Sequence, residues 1–149
     1  MKINRSAPAA TVVPVLVYRD VGAAVAWLCR AFGFVERLRV DRHGVVFHAQ
    51  LGVGDGAIMM GREGAEFRPP RPGEVCQYVH VTVDDVDAHY ARARASGADI
   101  VGPPADKPFG ERQYTAVDPE GHRWTFSQHI DDVLPETWGA TVATKNFAM

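Results

Sequence analysis

The sequence predicts an α+β fold built from two successive βαβββ modules. Three observations carry the prediction. Runs rich in β-branched and aromatic residues alternate with stretches of helical spacing, and the order strand, helix, strand, strand, strand occurs twice. Residues also recur at a fixed offset. Asp20, Val21 and Ala23 are matched 65 residues on by Asp85, Val86 and Ala88, and Gly56 by Gly121; Gly33 is matched by Gly97 at 64, so one gap is needed. These positions lie at helix starts and strand turns, which set the backbone path. Finally, GREGAEFRPPRPG, Gly61 to Gly73, has no periodicity and several Pro and Gly, and reads as a linker. The expected organisation is a flexible lead at 1–10, a first module at 11–62, a linker at 63–73, a second module at 74–129 and a tail at 130–149.

Each element has its own warrant. Thr11 to Tyr18, TVVPVLVY, reads as a strand, and Pro14, which cannot donate to a ladder, places it at an edge. Asp20 is an N-cap for a helix whose Val21, Val25, Leu28 and Phe32 follow at helical spacing, with Gly33 placed to end it. Phe34 to Val40 alternates as a strand, Asp41 to Gly44 turns, and Val45 to Val53 forms the next strand. Gly54-Asp55-Gly56 then leads to a fourth strand, Ala57 to Met60. In the second module Glu74 to Val83 is a strand, and Asp84 or Asp85 caps a helix running to Gly97. Asp99 to Val101 is a short strand before a break at Gly102-Pro103-Pro104. Arg112 to Val117 and His122 to Gln128 are strands joined by Asp118-Pro119-Glu120-Gly121, with Pro and Gly where a type I turn favours them. The tail, Asp131 to Met149, holds one helical turn near Pro135 to Trp138 and is otherwise frayed; Trp138 docks on the domain or on a partner subunit.

Bulk properties exclude several classes. With 149 residues, 16 basic against 18 acidic and a net charge of -2, nothing points to nucleic acid or a membrane surface. No apolar run approaches the roughly 20 residues that span a bilayer, and MKINRSAPAATVVPV lacks a signal-like apolar core. Two cysteines, Cys29 and Cys76, are too few for a disulfide framework and read as small core residues in a reducing cytoplasm.

The most specific stretches are VTVDDVDAHYARARASGA, 81–98, and GERQYTAVDPEGHRWTF, 110–126. Together with the repeat, they resemble the vicinal oxygen chelate superfamily, which includes glyoxalase I, extradiol dioxygenases and bleomycin-resistance proteins. The resemblance covers about Val12 to Gln128 and is nearest to glyoxalase-like and bleomycin-resistance-like members. It implies a curved mixed sheet around a cavity, in a homodimer. Metal-dependent members hold the ion by His and Glu on the first and fourth strands of each module. Carried onto this chain, those positions fall at Val13 and Tyr78, and at Met60 and Thr125, each pair 65 apart. None is His, Asp, Glu or Cys, so the resemblance implies no metal, no other cofactor and none of the usual metal chemistry.

Strand alternation says what lines the cavity instead. Tyr78, His80 and Thr82 share the face of the former ligand position, while Val79, Val81 and Val83 pack under the helix. Thr125 brings Arg123 and Ser127 with it, and Trp124 and Phe126 turn to the helix. His48 and Gln50 fall together on the third strand. The candidate lining is therefore Val13, His48, Gln50, Met60, Tyr78, His80, Thr82, Arg123 and Thr125. For His48 and His80 the plainer alternative is a hydrogen-bonded, partly buried imidazole, and His43, His89, His122 and His129 read as structural or solvated. The Arg62, Arg68, Arg71 and Glu63, Glu66, Glu74 run is a solvated linker or a flap over the cavity mouth.

Two functions follow. One is a protein that holds a small organic molecule without the family's usual metal; a lining with Arg and His rather than carboxylates favours a neutral or anionic, partly aromatic ligand. The other is a lyase, isomerase or epimerase using nonstandard metal ligands or metal-free acid–base chemistry, with Tyr78 and His80 as first candidates.

Overall fold

The computed structural model describes residues 2–143. The first module is β1 (Val15–Tyr18), α1 (Val21–Phe32), β2 (Val35–Arg42), β3 (Val45–Val53) and β4 (Gly56–Arg62). The second is β5 (Val79–Thr82), α2 (Val86–Ala95), β6 (Asp99–Asp106), β7 (Glu111–Val117) and β8 (Arg123–His129), followed by a 3-10 turn at Pro135–Trp138. Each module forms its own mixed sheet, ordered β1-β4-β3-β2 and β5-β8-β7-β6. In both, the first strand runs parallel to the fourth and the rest are antiparallel. The fold is thus the expected α+β pair of βαβββ units.

Local chemistry explains the helix ends. The Asp20 carboxylate accepts the Ala23 N–H at 2.9 Å and Asp85 accepts that of Ala88 at 3.0 Å, each satisfying a donor the helix leaves free. Gly33 closes α1 at φ 75°, left-handed backbone that favours glycine.

Several boundaries differ from the sequence reading. β1 begins only at Val15, because Pro14 offers no N–H; its carbonyl still accepts the Met59 N–H at 2.9 Å. β5 begins at Val79 rather than Glu74, since residues 74–78 belong to the linker's return. Cys76 is consequently exposed rather than a core residue, and Cys29 is half-buried. β6 continues through Gly102, Pro103 and Pro104 to Asp106, with irregular register there. It is an edge strand, where unpaired prolines are tolerated. The lead is held over the first sheet: the Arg5 and Ala7 carbonyls accept from the Arg37 guanidinium at 3.2 and 3.1 Å, and the Ser6 carbonyl from Gln50 Nε2 at 2.9 Å. Trp138 docks on the chain itself, its ring 5.5 Å from that of Phe109. The tail from residue 144 on, expected to fray, lies outside the described residues.

One register difference matters for the site. β1 pairs Val15 with Met59 and Leu16 with Met60, whereas β5 pairs His80 with Thr125 and Val81 with Phe126. Leu16 and Val81 both face the core, so Met60 corresponds to Phe126 and Met59 to Thr125. Met60 is 0 % exposed and packs inward, contrary to its expected place in the cavity lining. The cause is a longer turn. Val53 pairs with Gly56 around two residues, while Asp118 bonds His122 around three, so the offset becomes 66 beyond the turn. Since strand side chains alternate, one residue moves the whole strand to the other face.

The modules pack through their helices and one turn. Phe32 and Phe34 lie 5.7 and 5.4 Å from Trp124, and Phe32 lies 4.6 Å from Phe126, between ring centroids. Trp27 Nε1–H donates to the Ser96 carbonyl at 3.0 Å. Arg92, 65 residues further on, donates to the Arg30 and Cys29 carbonyls at 2.8 and 3.1 Å. Each helix therefore satisfies carbonyls at the other's C-terminal end from the same position of the repeat.

Candidate functional site

The Asp118–Gly121 turn sets the geometry of the seam between modules. Asp118 is 4 % exposed, and its carboxylate accepts from the Tyr18 hydroxyl, Trp124 Nε1–H at 3.1 Å and the Glu120 and His122 N–H groups at 3.0 and 3.1 Å. Glu120 accepts the Arg19 and Asp20 N–H groups at 2.6 and 3.0 Å, ahead of α1. His122 donates from Nε2 to the Val17 carbonyl at 2.6 Å. Burial, then the adjacent Asp118 charge, push the Tyr18 phenol well above its ordinary pKa, so it stays a neutral donor. These contacts fix β1 beside the start of β8.

Along this seam lies a cavity of about 770 Å³. β1 supplies Val15 and Val17, β5 and its approach supply Tyr78 and His80, β8 supplies Arg123, and the linker closes one side with Phe67 and Val75. The linker is braced rather than loose. Glu74 takes both arms of the Arg68 guanidinium at 3.0 and 3.1 Å and the Arg71 N–H at 3.1 Å, which holds its carboxyl down to about 2. Of this run, Glu66, Arg68 and Glu74 border the cavity, while Arg62, Glu63 and Arg71 do not. A second hollow of about 360 Å³ opens on the second sheet, lined among others by Tyr78, His80, Lys107, Phe109, Gln113 and Thr125. Tyr78 and His80 border both.

The nine sequence candidates separate accordingly. Tyr78, His80 and Arg123 meet in the larger cavity, and Thr125 joins Tyr78 and His80 in the smaller one. Thr125 is 8 % exposed and shares a hydrogen bond with Thr115 at 2.9 Å. Val13 is flanked in the larger wall by Val12 and Pro14 without itself lining it, and Thr82 stands exposed beyond both hollows. His48 and Gln50 lie on the first sheet under the lead, their side chains 3.1 Å apart, with Gln50 2 % exposed. Met60 is in the core. The sequence reading missed Gln113 and Thr115, which follow from carrying the Thr125 face across to β7, where Thr115 pairs with Thr125 and Gln113 with Ser127.

The donors do not fit the metal that the resemblance brings to mind. At the first- and fourth-strand positions stand Val13, Tyr78, Met59 in place of Met60, and Thr125: a hydrocarbon, two hydroxyls and a thioether. Among the described residues no group of three or more His, Cys, Asp or Glu is placed to hold an ion.

His89 holds the modules together rather than facing either cavity. Its Nε2 faces the Phe32 carbonyl at 2.9 Å and so carries the proton, leaving Nδ1 to accept from the Tyr114 hydroxyl. Burial lowers the His89 pKa and raises that of Tyr114, so both stay neutral.

Comparison with known proteins agrees with this architecture. Residues 10–126 match the model of the Glyoxalase/Bleomycin resistance protein/Dioxygenase superfamily. The chain is 44 % identical to TioX from Micromonospora sp. ML1, covering 82 % of this chain and 100 % of that one, with a TM-score of 0.70. It is 32 % identical over 127 residues to the uncharacterised Mycobacterium bovis protein Mb0911c, spanning 80 % of this chain and 84 % of that one. The fosfomycin resistance protein FosX from Listeria monocytogenes shares the fold, with a TM-score of 0.61 at 15 % identity over 80 % of this chain and 93 % of that one. The module order, the seam between two mixed sheets and the match over 10–126 lead to one conclusion: the chain belongs to the glyoxalase/bleomycin resistance protein/dioxygenase superfamily.

Proposed function

We propose that this protein binds a small organic molecule in the seam cavity, without the metal used by enzymes of its superfamily. The observation that carries the reading is the cavity itself: about 770 Å³, walled by Val15, Val17, Phe67 and Val75, with Tyr78, His80 and Arg123 as its polar points. Ligand sites of about 300–1,000 Å³ with apolar walls and a few placed polar groups have this form. The fourth-strand thioether and hydroxyl support the metal-free part, since neither replaces an imidazole or carboxylate on a divalent ion.

Catalysis by Tyr78 and His80 is the weaker reading. Both are exposed, and among the described residues neither side chain is hydrogen-bonded to an orienting group, as a general base needs. We further infer a homodimer, because Val12, Val15, Phe67, Val75 and Tyr78 leave an apolar rim around the cavity mouth. No helix of the described residues is long and apolar enough to cross a membrane. The two free cysteines suit a reducing cytoplasm.

The test is a thermal-shift screen against metabolites and antibiotics, followed by equilibrium dialysis, on protein purified without chelator or affinity tag. Saturable binding that persists with substoichiometric Zn, Ni, Fe and Mn is the expected result. Absence of any saturable ligand, or a stoichiometric metal, would overturn it.

A further inference from the structure

Of the two arginines on the wall of the seam cavity, Arg68 is held by Glu74, and Arg123 has, among the described residues, no ion pair or side-chain hydrogen bond. Its Nε lies buried and, among the described residues, has no hydrogen-bond partner. The neighbouring carboxylates are engaged elsewhere: Glu74 by Arg68 and Arg71, Asp118 by Tyr18 and Trp124, and Glu120 by the backbone ahead of α1. Glu66, the remaining acid on the cavity wall, is exposed on the linker and forms no ion pair with Arg123. His122, next to Arg123, already donates from Nε2 to Val17. Among the described residues no side-chain hydrogen bond or ion pair engages the rest of the guanidinium, so its outer nitrogens are left to an acceptor that a ligand brings to the cavity wall.

We propose that Arg123 is the anchor for an oxyanion of the bound molecule, a carboxylate, sulfonate or phosphonate, while Phe67, Val75 and Tyr78 take its planar apolar body. This rests on the seam cavity being the ligand site and adds the class of ligand. The planar guanidinium presents its donors as a fork that matches two oxygens of one acid group, which a lysine does not reproduce. The strand places it well. Arg123 opens β8, on the face of Thr125, beside the turn that clasps the modules, so its backbone is fixed from both sides.

Two fluorescent probes of one framework separate head group from body: 8-anilinonaphthalene-1-sulfonate, which is anionic, and N-phenyl-1-naphthylamine, which is neutral. Both are titrated into the intact protein and into Arg123→Gln, with Phe67→Ala as a wall variant. The expected result is one saturable site that prefers the sulfonate about tenfold or more. Arg123→Gln abolishes that preference and leaves the neutral probe within about twofold, while Phe67→Ala weakens both probes by similar factors. If Arg123→Gln changes neither probe, or weakens both equally, the anchor is wrong and the cavity reading stands. If neither probe saturates on the intact protein, the cavity reading falls and the anchor with it. Should Arg123→Gln fail to fold, Arg123→Lys supplies the same comparison, with selective but partial loss of the sulfonate expected and an equal effect on both probes overturning the anchor.

Discussion

Asp118 and His89 show how single residues join the two modules. As a turn residue Asp118 is readable from the sequence; as the acceptor for Tyr18, 100 positions earlier, it is not, because local pattern carries no information about which buried hydroxyl needs a partner. Asp118→Asn keeps the shape but replaces one acceptor oxygen with a donor. It is expected to cost about 3 kcal/mol, the scale of leaving buried donors unpaired, measured by urea unfolding. His89 makes a pH prediction. Its folded pKa lies below the unfolded value because burial, and secondarily the Arg92 charge, disfavour the imidazolium. The unfolded chain therefore binds more protons, and stability falls as pH drops below about 6.5 toward the folded pKa. His89→Gln, followed by thermal unfolding between pH 5 and 8, should flatten that part of the profile. By contrast, Tyr78, His80, Arg123 and Thr125 were legible as cavity residues, because alternation along a strand needs only a correct starting face.

At the scale of elements, caps and periodicity read well and registers read poorly. α1 spans Val21–Phe32 with Asp20 and Gly33 at its ends, as its spacing and cap residues indicate. The fourth strands were matched one residue out, because the repeat was anchored on Gly56, which opens β4, and on Gly121, which still lies within a turn one residue longer. Two substitutions test the corrected register. Met60→Ala should cost about 2–5 kcal/mol, the range for emptying a packed core site, and Met59→Ala under about 1 kcal/mol, both by chemical denaturation. The tail has a comparable pin. Gly110 sits at φ 84°, and a Cβ there would run into the Asp131 carbonyl, while the Gly110 carbonyl accepts the Ile130 and Asp131 N–H groups at 2.9 and 3.2 Å. Gly110→Ala is expected to cost about 2 kcal/mol through strained backbone. It should also release the segment, seen as faster amide exchange at Ile130 and Asp131 and a red shift of Trp138 emission.

At the scale of the whole molecule, the two-module plan was legible and the manner of packing was not. Repetition of cap residues reveals that a unit occurs twice, but the seam depends on which faces each copy leaves free. Those faces are set by single side chains, such as Trp27 and Arg92. If the apolar rim around the cavity mouth joins two copies, light scattering after gel filtration should give twice the chain mass, and Phe67→Glu together with Val15→Glu should return it to the monomer with secondary structure intact.

The reciprocal contact of Trp27 and Arg92 has a consequence for how this chain tolerates change. Its modules meet as two identical subunits meet across a twofold axis, the same patch on both sides, with the linker replacing independent diffusion. The two sides differ in chemistry, an indole on one and a guanidinium on the other. The contacts of this joint lie at the helix ends, whereas the cavity wall is drawn from both modules, Val15 and Val17 from one and Tyr78, His80 and Arg123 from the other. A substitution in the cavity wall of either half therefore leaves the joint at the helix ends in place.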